Sequence, residues 1–134
     1  MEDTSLWISL FVPVFMILLG SGIAGIWAMD IIKGKFRDQG SFFNWLNDGG
    51  DKMWPHILAE YFTAAGLIAG GLALFTVKAW AVTFSLVFLG ALSYTSLNSL
   101  GWVFAQRDRI GYRIPMMAGL AGAIASVIIL LIMT

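Results

Sequence analysis

A histidine and a glutamate stand four residues apart in "WPHILAEYFTAAG", residues 54–66, at the entrance to a long apolar run. On a helix this spacing puts His56 and Glu60 on one face, and Thr63, three residues further on, joins them. Glu60 falls about one and a half turns in from Trp54. An ionised carboxylate at that depth in an apolar medium is costly unless it is paired or protonated. A histidine and a carboxyl on one face can pass a proton between them or offer two ligands to a divalent cation.

A second polar group lies in "SYTSLNSLG", residues 93–101, where Tyr94 and Asn98 are also four apart. If this helix runs antiparallel to the first and ends near Trp102, Tyr94 and Asn98 come to the same depth as Glu60. The expectation is a buried cluster in which Glu60 hydrogen-bonds Asn98 or Tyr94. Its candidate ligand- or proton-binding residues are Glu60, His56, Tyr94, Asn98 and Thr63. Above it Arg107, Arg109 and Arg113 are placed for contact with lipid headgroups or an anion. The residues alone leave two roles open for Glu60, a binding group or interhelical glue. His56, nearer the interface, is either solvated or part of a proton path.

These side chains need elements to hold them, and composition says in what solvent. Of the 134 residues, 59% are hydrophobic and 12% charged, against roughly 45–50% and about 25% in soluble domains. Four apolar runs, residues 5–29, 54–77, 79–103 and 111–133, are each near or above the roughly 20 residues a membrane-crossing helix needs. Runs this long satisfy their backbone hydrogen bonds as helices. The fold class expected is all-α: a single four-transmembrane-helix bundle over residues 1–134, with loop 30–53 as its main extramembrane segment.

Charge sets the expected orientation. Lys33, Lys35, Arg37, Lys52, Arg107, Arg109 and Arg113 fall on one side and only Lys78 on the other. By the positive-inside rule the basic loops face the cytoplasm and both termini lie outside. Trp27, Trp54, Trp102 and Tyr112 would mark the inner interface, Trp7 and Trp80 the outer one. The first run opens with Glu2 and Asp3 and is too long for a signal-peptide core, so it reads as a retained helix, kinked at Pro13. In the loop, "SFFNWLNDGG", Ser41 to Gly50, suits a short helix resting on headgroups. Small-residue spacings at Gly66 and Gly70, Ser21 and Gly25, and Gly119 with Ala123 or Ala118 with Gly122 mark candidate packing seams.

Several function classes lose support at this stage. Eight basic residues balance eight acidic ones, which gives no bulk-charge argument for nucleic acid. There is no cysteine, so no disulfide or thiolate chemistry. No hydrolase elbow, phosphate-binding loop or paired zinc histidines occur, and the Gly20, Gly22, Gly25 spacing sits within a span with no strand before it. With one histidine and one intramembrane carboxylate, a dedicated metal site would need oxygens from several helices or another subunit, and none is expected. No cofactor is expected.

The stretches "WPHILAEYFTAAGLIAGG" and "SYTSLNSLGWVFAQRD" resemble small uncharacterised four-helix membrane proteins of bacteria and archaea, with H-x-x-A-E in a second helix and Y-x-x-x-N-S-x-G in a third. The resemblance covers about a third of the chain and implies no activity; it implies that His56, Glu60, Tyr94 and Asn98 belong together. Small multidrug-resistance transporters carry their membrane glutamate in the first helix, which here has no acid between Asp3 and Asp30. The asparagine and phenylalanine pattern of fluoride channels does not fit either. The expected function is proton- or cation-coupled transport or channel activity by a homo-oligomer in a prokaryotic cytoplasmic membrane. The alternatives are a non-catalytic subunit of a larger membrane complex, or an enzyme acting on a lipid or quinone.

Overall fold

A computed structural model of the chain describes residues 2–34, 53–76, 78–105 and 111–134. Four helices account for nearly all of them: α1 Glu2–Ile32, α2 Trp54–Phe75, α3 Ala81–Ala105 and α4 Arg113–Met133. All four are long and apolar enough to cross a membrane. Pro55 sits in the first turn of α2, where its missing N–H costs no helical hydrogen bond. Pro13 lies well inside α1, and the helix continues through it.

The ends differ from the sequence expectation in one way that matters for the site. α1 continues past residue 29 to Ile32, and Gly34 then turns the chain out of the helix with a left-handed φ of 72°. Asp30, set in the loop on account of its charge, is instead on the last helical turn and buried. α2 stops at Phe75, and Thr76 closes it by returning both its N–H and its hydroxyl to the Ala73 carbonyl.

The helices form a ring in which α1 packs on α2 and α4, and α3 packs on α2 and α4. α1 meets α4 over the shortest stretch of the four. Between them sits a dry core of Val12, Met16, Leu67, Phe88, Leu89, Leu92, Ala123 and Leu130. Close approach rests on glycine at a few points. A methyl group on Gly20 would stand 2.8 Å from the Ala64 carbonyl, and one on Gly71 2.8 Å from the Pro13 carbonyl, so α1 and α2 touch backbone to backbone. Gly66 lies against the Phe88 ring, and Gly122 against Phe15.

Gly66 and Gly70 therefore do form a seam, whereas Ser21 and Gly25 do not. Both face outward, and nothing lies within 4 Å of a methyl group placed on Gly25. The α1 seam is carried one residue earlier, by Gly20. Around the ring the outer surface is made of large apolar side chains such as Leu18, Phe62, Val87, Ile114 and Ile132. The expected headgroup-resting stretch, Ser41 to Gly50, lies outside the described residues.

Candidate functional site

The first two turns of α2 set His56 and Glu60 on the helix face that meets α1 and α3. His56 Nε2 lies 3.6 Å from Glu60 Oε1, and Glu60 is only 5% exposed. Its two hydrogen-bond partners come from different neighbouring helices. From α3, Ser99 Oγ donates to Glu60 Oε1 at 3.4 Å. The same oxygen stands 3.4 Å from His56 Nε2. A hydroxyl has one hydrogen, so with that hydrogen on Glu60 its lone pairs are left to receive an N–H from the imidazole.

From α1, the Trp27 indole also hydrogen-bonds Glu60. Its ring meets the His56 ring edge-on, with centroids 5.5 Å apart at 74°. The Tyr61 hydroxyl adds a further tie by donating to the Ala24 carbonyl of α1 at 3.3 Å. Trp27, expected at the membrane interface, thus points into the bundle at 8% exposure, packed with Ile57.

The structure does not bring Tyr94 or Asn98 to this cluster. Tyr94 is 73% exposed, and Asn98 is exposed as well. The reason is rotation of α3 about its own axis. Its buried side runs through Leu92, Thr95, Ser96, Ser99 and Val103 at spacings of three and four, and this puts Tyr94 and Asn98 on the outside. The depth argument picked the right level of α3 and missed the inward residue by one position. Thr63 is buried but spends its hydroxyl on the Ala59 carbonyl of its own helix, at 2.8 Å. Of the three arginines, Arg107 and Arg109 lie outside the described residues, and the Arg113 guanidinium lies over the Phe104 ring at 4.3 Å from its centroid.

A cavity of about 140 Å³ opens beside the cluster. Glu60, His56, Ser99 and Trp27 form part of its wall, and Asp30, Ser96, Trp102 and Tyr112 add further polar groups to a lining that is otherwise apolar. Asp30, 4% exposed, was missed as a site residue. Its signal was present in the sequence: it stands three residues after Trp27, on the same face of α1.

The cavity stops one turn further in, at a layer where Met16, Leu67 and Leu89 are fully buried. Ser126 Oγ, at about the level of Leu89, and Ser85 Oγ, beyond it, are buried with no hydrogen-bond partner among the described residues. Taking the level where Gly119 faces Ser96 as reference, they lie about 10 Å and about 16 Å further along the bundle at 1.5 Å per residue. Among the described residues no group of three or more histidine and acidic side chains is gathered as for a metal ion.

A family model described as "Domain of unknown function (DUF8058)" matches residues 8–134. No curated protein and no solved structure matches the chain.

Proposed function

We propose, for a chain that belongs to the DUF8058 family, that it is a small membrane transporter in which Glu60 takes up a proton or a small organic cation from the cavity beside it. One observation carries this reading: the Glu60 carboxyl ties α2 to both α1 and α3 and at the same time forms part of a cavity wall. A carboxyl serving only as glue would be sealed in dry packing. Here it is positioned to exchange with whatever enters.

The lining supports the choice of ligand. Asp30 and Glu60 supply acidic groups, Trp27, Trp102 and Tyr112 supply aromatic faces, and the rest is apolar. A volume of about 140 Å³ suits a ligand of roughly benzene size, such as a short alkyl or aryl ammonium. His56, bonded to the same hydroxyl as Glu60, serves as the proton partner. By the positive-inside rule this end of the bundle faces the cytoplasm, with both termini outside. The cavity is then the inward-facing half of a path, closed by the Met16, Leu67 and Leu89 layer, with the orphan hydroxyl of Ser85 on the far side.

The test is proton flux in vesicles containing the purified chain, with and without an organic ammonium gradient, read by an entrapped pH dye. Flux through wild type and none through Glu60→Gln, with an unchanged unfolding midpoint, is the expected result. No flux in either, together with a lower midpoint for Glu60→Gln, returns Glu60 to a structural role and favours a subunit of a larger complex.

A further inference from the structure

Among the described residues, away from the first and last turns of the helices, the outer surface is apolar except at Ser9, Ser21, Tyr94 and Asn98. They are not equivalent in lipid. A serine on a helix can return its hydroxyl to its own backbone, as Ser93 does to Leu89 at 2.9 Å. An asparagine amide carries two donor hydrogens and an acceptor oxygen and cannot meet all three that way. Asn98 sits about 10 Å in from the Ala105 end of α3 at helical rise. It is exposed there and has no hydrogen-bond partner among the described residues. Hydrocarbon supplies none.

We infer that a second copy of this chain docks on the α3 face formed by Gly90, Tyr94, Asn98 and Gly101, with the two Asn98 amides bonded to each other across a two-fold axis along the membrane normal. The inference rests on the membrane-spanning reading of the helices and is independent of whether the cavity transports anything.

Three observations select a second copy as the occupant. Copies inserted with one orientation hold every residue at the same depth, so a polar group stranded at a given level always finds its own twin at that level. The amide is both donor and acceptor, and is therefore complementary to itself. The flanking positions also permit close approach. Gly90, Tyr94, Asn98 and Gly101 follow one another at four, four and three residues, a single stripe of the helix. Nothing lies within 4 Å of a methyl group placed on Gly90 or Gly101, so both ends of the stripe are open to an incoming helix. The interface would lie directly behind the site, since Asn98 faces the partner while the next residue, Ser99, holds Glu60.

The chain contains no cysteine, which makes single-cysteine crosslinking clean. In vesicles of the purified full chain, Gly90→Cys and Gly101→Cys should form disulfide-linked dimers on oxidation. Leu18→Cys on α1 and Ile128→Cys on α4, both outward-facing, should not. Photobleaching of a labelled chain should show two steps for wild type and for Asn98→Gln. For Asn98→Leu, association should weaken by about tenfold or more, a shift of about 1.4 kcal/mol in association free energy, at an unchanged unfolding midpoint. Single steps for wild type at every protein density would overturn the proposal and leave this face to lipid or to another protein. Equal crosslinking at Leu18→Cys and Gly101→Cys, or Asn98→Leu dimers as tight as wild type, would overturn it too.

Discussion

Gly66 of α2 lies so close to the Phe88 ring of α3 that even a methyl group on it would overlap the ring atoms. The ring is itself flanked by Phe84 at 4.8 Å and Phe62 at 5.5 Å between centroids, both tilted to it, so moving it disturbs two further contacts. This one contact sets the distance between the two helices that bring Glu60 and Ser99 together. Gly66→Val should therefore cost about 1–3 kcal/mol through overpacking, read as a lower midpoint in denaturing-detergent titration. Gly25→Ala, on the open face of α1, should stay within about 0.5 kcal/mol of wild type. Equal effects would show that the seam is looser than described.

Ser99 and Asn98 are chain neighbours with opposite roles. Ser99→Ala deletes the hydroxyl between His56 and Glu60 and should destabilise the bundle by about 0.6 kcal/mol, the average for interhelical hydrogen bonds in membranes, and by no more than about 1.7 kcal/mol. Asn98→Ala should leave the fold of the single chain within about 0.5 kcal/mol. Unfolding titrations at a protein density low enough to keep the chain monomeric separate the two, and a larger loss for Asn98→Ala contradicts the orientation of α3.

The indole hydrogen bond can be watched directly. The Trp27 indole is bonded to the Glu60 carboxyl. Glu60→Gln should shift the Trp27 indole N–H resonance well beyond that of Trp80, which is exposed at the other end of the bundle. A spectrum in which Trp27 stays fixed removes that bond from the site.

Gly119 gives a handle on the cavity that leaves its polar groups untouched. It lies in the cavity wall, and a methyl group there would meet Leu19 at 3.6 Å and Ser96 at 3.7 Å, ordinary contact distances. Gly119→Ala should retain flux, whereas Gly119→Leu, filling the space, should abolish it while the protein remains folded. Flux surviving in the Leu variant would detach transport from this cavity.

The fold was legible because its signal is crude and redundant: four long apolar runs admit little besides four helices. Half of the site was legible for a local reason. His56 and Glu60 belong to one helix, and a spacing of four fixes their relation wherever the helix goes. Their partner on α3 was misjudged because depth can be counted along a chain and rotation cannot. α3 carries Ser93, Tyr94, Thr95, Ser96, Asn98 and Ser99 in quick succession, polar in every direction, so no apolar stripe announces which side turns inward. Asp30 was missed for the opposite reason. A charge at the end of an apolar run looks like the start of a loop, and only the Gly34 turn shows that the helix has not yet ended.

The hydroxyl between imidazole and carboxyl has a consequence for how α2 and α3 communicate. While Glu60 is ionised, Ser99 gives it its hydrogen; once a proton lands on Oε1, the direction of giving reverses, and the serine must swing its hydrogen elsewhere. Were Glu60 to load a proton as proposed, the event would be written on the neighbouring helix as a reversal of this one bond.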